Sequence, residues 1–252
     1  MSIRFDIITI FPGLFAPYLN ESILKRAQKN KLIDIRVHNL RDFTKAKHKK
    51  VDDKAYGGGP GMVLQAEPII KAIRSILNSK FQNPKSKQIP KLKIKKTKII
   101  LFTPAGKQFD AKIAQNFASR YDHIIMIAGR YEGVDHRIYK VLKNMLITHN
   151  SSLTTLSIGP YVLTGGELPA LIMIDAISRH IPGVLGKNES LEEKRGGAGI
   201  PAYTRPEKIT WNKKTYAVPK ILLSGNHKKI AAWLAAKRAS PKMPRNMRRK
   251  GA

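Results

Sequence analysis

The chain of 252 residues carries 47 Lys and Arg against 17 Asp and Glu, a formal net charge of +30. Its 42% hydrophobic content can supply one large core, or a medium domain plus a small one. No apolar run approaches the ~18 residues of a membrane span, and the lack of cysteine excludes disulfides, thiolate metal sites and cysteine nucleophiles. These features fit a cytoplasmic protein whose partner is a polyanion, bound through counterion release. A compositional drift toward Lys would give the same total. The surplus is nevertheless placed in blocks: residues 80–98 hold eight Lys and no acid, residues 237–252 hold seven Lys or Arg and no acid, and residues 41–54 hold six against three Asp.

In chain order, residues 3–10 form an apolar, β-branched run interrupted by Arg4 and Asp6, which reads as a first strand and not as a signal peptide. Residues 14–30 have helical spacing (Leu14, Tyr18, Leu19, Ile23, Leu24, Ala27), and residues 33–38 alternate as a short strand. Residues 40–63 read as a polar, Gly-rich loop. Residues 67–77 read as a helix with Pro68 in its first turn, and residues 79–96, Lys-dense and holding Pro84 and Pro90, as a mobile insertion. Residues 99–102 and 124–128 are continuous apolar runs of the kind buried in parallel sheets, with a helix over residues 110–120 capped by Asp110 between them. Strand and helix alternating in this way predict an α/β domain with a mostly parallel sheet.

The stretch LSIGPYVLTGGELPALIMIDAISRHIPG (residues 156–183) carries the densest signal. Gly159, Gly165 and Gly166 imply positive φ or a close approach around a short apolar strand, and Glu167 and Pro169 open an apolar helix that ends near Arg179. After it the texture changes. Residues 184–206 read as a linker, and residues 207–252 as a small unit with Trp211, Tyr216, a helix from about His227 to Arg238 and a basic tail.

The chemistry gathers in Gly- and Pro-bearing loops. Residues 52–62, DDKAYGGGPGM, can form a flexible surface loop or a flap over a ligand. They match neither a P-loop nor a dinucleotide fingerprint. Thr103-Pro104-Ala105-Gly106 and Gly129-Arg130-Tyr131-Glu132-Gly133 follow apolar strands, the edge where open α/β sheets bind ligands. Taken singly, the first is equally a tight turn and the second an Arg130/Glu132 ion pair. No His/Asp/Glu cluster has metal-ligand spacing, so no metal site is read, and no Gly-x-Ser-x-Gly elbow occurs.

Taken together, GRYEGVDHR (residues 129–137), SIGPYVLTGGELPALIMIDAISRHIPGVLG (157–186), VDDKAYGGGPGM (51–62), RDFT (41–44), YTRPE (203–207) and LLSGNH (222–227) make the chain resemble the bacterial tRNA (guanine-37-N1)-methyltransferases. The resemblance implies a SPOUT-type α/β domain over residues 1–183 with a C-terminal trefoil knot, then the linker and a small helical tRNA-binding domain. It also implies a homodimer with each S-adenosylmethionine site at the dimer interface. Carried over by motif, the cofactor contacts fall on Thr103, Pro104, Gly129, Tyr131, Glu132, Ser157, Ile158, Gly159, Pro160, Tyr161, Val162, Leu163, Gly165, Gly166 and Pro169. The tRNA contacts include Asp52, Tyr56, Gly58 and Gly59, and Mg2+ is a further family expectation.

In that scheme a carboxylate takes the proton of guanine N1, and Arg179 stabilises charge developing on O6. Here the sequence departs from the family: the position of the usual Asp is Lys194, and Glu193 is the carboxylate beside it. Pro160 also replaces a usual acidic residue. Two outcomes stay open: Glu193 serves as the base, or the chain is a catalytically weak, basic RNA-binding protein.

Overall fold

The computed structural model describes residues 2–78, 96–146, 151–186 and 201–238. The basic insertion expected over residues 79–96 falls almost wholly outside these, as do Glu193, Lys194 and the C-terminal tail. The chain forms two compact units, Met1–Asn188 and Glu189–Ala252. In the first, β1 (Ile3–Thr9) leads through a 3-10 turn (Pro12–Leu14) into α1 (Ala16–Leu19), α2 (Ser22–Lys29) and β2 (Ile33–Asn39). β3 (Asp52–Lys54) and β4 (Met62–Leu64) precede α3 (Ala66–Asn78). β5 (Thr97–Gln108), α4 (Ala111–Arg120), β6 (His123–Ile127), α5 (Arg137–Leu146), β7 (Ser151–Ser157) and α6 (Glu167–Ser178) complete the unit.

Five strands form one sheet in the order β2-β1-β6-β5-β7, every neighbour parallel. Side chains alternate across a strand, so each apolar run serves two layers. Phe5, Ile7, Ile100, Ile124 and Met126 join the core against α2, α4 and α6, whereas Ile8, Ile99, Leu101, Ile125 and Ile127 join the core against α3 and α5. Helices on both faces explain why residues 99–102 and 124–128 are unbroken apolar runs and why the run of β1 is interrupted only by residues with buried partners or at its edge. Asp110 caps α4 as expected, its Oδ1 accepting from the Ile113 N–H at 2.8 Å.

Several expectations need correction. The single helix over residues 14–30 is broken into a 3-10 turn, α1 and α2. Pro17 sits in the first turn of α1, Ser22 at φ +47 interrupts the register, and Leu14 and Tyr18 face solvent instead of the core. The polar loop over residues 40–63 contains the antiparallel β3–β4 pair. The strand expected between Gly159 and Gly165 lies upstream as β7, and residues 160–164 are loop, with Val162 82% exposed and so without a layer to pack on. Helix α5 was not anticipated, although Ile138, Leu142 and Leu146 carry its buried stripe. The described part of the second unit is not purely helical. It holds an antiparallel hairpin, β8 (Lys208–Trp211) and β9 (Lys214–Ala217), before α7 (Lys220–Leu223) and α8 (His227–Arg238), with Tyr203 packed near Trp233. No helix among the described residues is long and apolar enough to cross a membrane.

One buried charge ties the middle of the sheet. Asp6 on β1 is fully buried; its Oδ1 meets His38 Nε2 from β2 and its Oδ2 meets His123 Nε2 from β6, each at 2.6 Å, and Arg4 pairs with it as well. Burial pushes the carboxyl pKa up, but the hydrogen bonds from His123, His38 and Arg4 outweigh it and hold the group well below the usual carboxylate range. At the C-terminal edge of the sheet the chain makes a backbone contact. Gly166 N–H donates to Gly129 O at 2.8 Å, and a Cβ on Gly166 would stand 2.6 Å from Ala128 Cα. Only glycine lets α6 start this close to β6.

Two measurements follow. Because the folded-state pKa of Asp6 is depressed, its contribution is complete above about pH 4 and is lost as pH falls toward the folded value. Denaturant unfolding of Asp6→Asn is expected to show a loss of roughly 3–5 kcal/mol at neutral pH and a flatter fall in stability between about pH 5 and pH 3; an unchanged acid limb would refute the role of this carboxylate. Gly166→Ala is expected to cost about 1–3 kcal/mol by overpacking. Gly186→Ala, where a Cβ meets nothing within 4 Å, should stay within about 0.5 kcal/mol of the parent chain.

Candidate active site

Three loops converge beyond the C-terminal ends of β5, β6 and β7, the edge where parallel sheets leave a crevice. They enclose a cavity of about 400 Å³, within the range of small-molecule sites. The first loop is an excursion inside β5 and not a turn after it: the register with β7 jumps between Phe102 and Lys107, and Thr103 and Pro104 bulge into the cavity wall. Gly106 closes the excursion against the Leu156 backbone, where a Cβ would come within 2.6 Å. The second loop follows β6. It places Gly129, Tyr131 and Glu132 on the cavity, Tyr131 at φ +59, a left-handed conformation a bulky residue holds only under constraint from its surroundings. The third follows β7 and brings Ser157, Ile158, Gly159, Tyr161, Val162, Leu163, Gly165 and Gly166, with Pro169 from the first turn of α6.

All the cofactor residues expected from the motifs therefore meet at one cavity except Pro160, which is exposed and not part of the lining. Gly159, Gly165 and Gly166 do not take positive φ; their role is close approach. The lining also contains Arg130, His136 and Tyr139, which the sequence did not assign to the pocket. His136 and Tyr139 stack with ring centroids 4.7 Å apart, and burial pushes the Tyr139 phenol pKa up. Their spacing at the start of α5 was the available signal. Glu132 is the one carboxylate in the described lining.

The ion pair read for Arg130 also differs from expectation. Its partner is Glu167 and not Glu132: Arg130 Nε donates to Glu167 Oε2 at 2.9 Å. Glu132 instead donates its backbone N–H to Met62 O at 3.0 Å. That bond, with Leu64 N–H to Gly133 O at 3.0 Å, docks the β3–β4 pair on the cavity loop. The glycine turn of residues 57–59, all at positive φ, is thereby held beside the cavity wall. Asp52 lies half-buried in β3, Tyr56 is 99% exposed, and Gly58 and Gly59 stand in open space at the tip.

Arg179 is the C-cap of α6 and does not line the cavity. Ten residues separate it from Pro169 at the other end, about 15 Å along the helix axis. Among the described residues the structure thus gathers the residues expected to hold the cofactor, other than Pro160, docks the β3–β4 pair beside them with Asp52, Tyr56, Gly58 and Gly59 outside the lining, and leaves Arg179 at a distance within one chain.

The family model described as tRNA (Guanine-1)-methyltransferase TrmD matches residues 3–249. Proteins named tRNA (guanine-N(1)-)-methyltransferase are similar over most of their length. That of Thermomicrobium roseum is 46% identical over 91% of this chain and 76% of its own. That of Dictyoglomus turgidum is 45% identical over 92% and 83%, and that of Clostridioides difficile 44% identical over 91% and 90%. The loops that build the cavity lie within the matched span, and the chain belongs to the tRNA (Guanine-1)-methyltransferase family.

Proposed function

We propose that the protein transfers the methyl group of S-adenosylmethionine to N1 of guanine 37, next to the anticodon of tRNA, in the cytoplasm. The observation that carries this reading is the cavity of three Gly/Pro loops within a family match running from residue 3 to residue 249. The residues present fit the methyl donor. Phe102, Leu156, Ile158, Leu163 and Pro169 offer apolar walls for an adenine plate, and the glycine loops bring backbone donors and acceptors close. Glu132 supplies a carboxylate in the lining, suited to the cationic part of the ligand.

When bound, the donor supplies a methyl group on a positively charged sulfur, which leaves as a neutral thioether while the N1–C bond forms. The chain's own task is the proton and the charge. N1–H is too weak an acid to react unaided at neutral pH, so a carboxylate must accept its proton, and Glu193 is assigned that role. Arg179 is assigned to the negative charge that develops on O6. Among the described residues no group of three His, Asp or Glu could hold a metal ion.

Since Arg179 stands about 15 Å along α6 from the cavity edge, the reading assigns it to the cavity of a second copy, in a homodimer. The exposed side of α6 supports this. Leu168 and Ile172 are 58% and 44% exposed, and Tyr18 OH donates to Asp175 Oδ2 at 2.6 Å, which sets exposed Tyr18 beside them. An apolar surface of this kind on a helix that is already buried on its other side asks for a partner. The close passage of residues 164–166 against residues 128–130 supports the trefoil knot implied by the motifs. The basic segment of residues 41–54, the glycine turn and the second unit, with Trp211 and Tyr216 exposed among lysines, are assigned to the tRNA, through phosphate contact and base stacking.

Single-turnover transfer from labelled S-adenosylmethionine to tRNA with guanine at positions 36 and 37 tests the reading. Product methylated at guanine N1 is expected, and a parent protein without turnover would leave an RNA-binding protein instead. Glu193→Gln is expected to slow the step by about 10²–10⁴, and undiminished turnover removes Glu193 from the role. Arg179→Gln is expected to slow it by about 10²–10³ while S-adenosylhomocysteine still binds; loss of binding together with rate would place Arg179 elsewhere in the mechanism.

A further inference from the structure

The buried carboxylate of Glu167 has no part in the chemistry above, yet it sits where the cavity loops meet. It is 3% exposed, in the first turn of α6, where the helix N-terminus favours negative charge. Oε1 accepts from Thr9 Oγ1 at 2.7 Å, and Oε2 accepts from Arg130 Nε at 2.9 Å. Arg130 then uses a second arm of its fork: Nη1 donates to Thr164 O at 3.2 Å. Its guanidinium lies over the Phe11 ring, 4.7 Å from the centroid, and the Phe11 N–H donates to Thr9 Oγ1 at 2.9 Å. The end of β1, the loop after β6 and the loop before α6 are thus joined through one carboxylate and one guanidinium. Gly165 is part of the arrangement, since a Cβ there would overlap both Arg130 and Glu167.

Two other side-chain hydrogen bonds of the loop before α6 stay within it among the described residues. Ser157 Oγ donates to Gly159 O at 2.9 Å and Tyr161 OH donates to Ile158 O at 3.3 Å, bonds internal to the loop. Arg130 and Thr164 both line the cavity, from opposing loops. Unpaired, a buried charge is costly, so neither member of the pair is free to leave without the other.

We propose that Glu167 and Arg130 act as positioning residues for the methyl donor, a clamp that holds the loop of residues 158–165 at a set distance from the loop of residues 129–133. This rests on the reading of the cavity as the S-adenosylmethionine site. The fork geometry matters to it, because a lysine at 130 retains the charge but replaces two donors at fixed separation with one rotating ammonium, which does not hold Glu167 and Thr164 in a set geometry.

The test is calorimetric titration of S-adenosylhomocysteine into the full chain, its Glu167→Gln and Arg130→Lys variants and the double variant, beside single-turnover rates at saturating donor. Each single variant is expected to weaken binding about ten- to a hundredfold, the scale of a lost hydrogen bond to a charged group. The double variant should be no weaker than the poorer single one, as for two members of one unit. The rate at saturating donor should fall less than the affinity. Folded variants, verified by thermal unfolding, that bind as the parent does would overturn the clamp, and so would a fall in rate with binding intact. If Glu167→Gln does not fold, Arg130→Lys, which retains the charge balance, decides the matter alone. A parent protein that binds no S-adenosylhomocysteine refutes the donor reading itself, a result distinct from variants that match a binding parent.

Discussion

The contact of Gly166 with Ala128 and Gly129 sets how closely α6 begins against the end of β6, and much of the cavity follows from it. With no side chain between them, the two backbones exchange a hydrogen bond of 2.8 Å, and the loop after β7 must turn back across the sheet edge to reach that point. Residues 158–165 are thereby folded over the crevice that a parallel sheet leaves at its C-terminal edge. The walls combine backbone and apolar side chains with polar ones, among them Arg130, Glu132, His136 and Ser157. The apolar walls and backbone groups suit a flat, hydrogen-bonding ring, and the sequence carries no P-loop for a phosphate.

Two buried carboxylates hold β1, Asp6 from the middle of the strand and Glu167 at its C-terminal end. Asp6 fastens β1 to β2 and β6 through His38 and His123, away from the cavity, and its pairing concerns the sheet. Glu167 fastens the end of β1 to the two cavity loops through Thr9 and Arg130, and its pairing concerns the shape of the site. Both satisfy the rule that buried charge must be paired. In a chain with 17 acidic residues against 47 basic ones, Asp6 and Glu167 are the buried acids among the described residues.

The second level of organisation lies in what one chain leaves unfinished. Helix α6 carries its cavity contacts at one end and Arg179 at the other, and its outer face keeps Leu168 and Ile172 in solvent. The sheet covers one side of this helix and leaves apolar side chains on the other, the feature from which the proposed homodimer is argued. The glycine turn at residues 57–59 is likewise anchored at its base, by the bonds of Met62 and Leu64 to the loop of Glu132, and open at its tip. Anchoring the base beside the cavity places an open glycine tip near it.

Much of this was legible in the residues themselves. The apolar runs at residues 99–102 and 124–128 specify buried parallel strands because period-2 side chains with no polar face need cover on both sides, and residues 3–10 read as a strand although Arg4 and Asp6 interrupt them. Asp110 reads as a cap because its bond to Ile113 spans three residues. The glycines and prolines at the strand ends mark the cavity, and the long motifs mark the family. What required the tertiary structure was pairing at long range. Arg130 finds Glu167, 37 residues on, in place of Glu132, two residues on; Thr9 meets Glu167 across 158 residues. The β3–β4 pair docks on the loop of Glu132, Thr103 and Pro104 bulge from within β5, and Pro160 turns away from the lining. Local periodicity carries information over one or two helical turns or a few strand residues. Which side chain completes a buried charge, and which loop closes on which, is decided only when distant segments compete for the same space and the same hydrogen bonds.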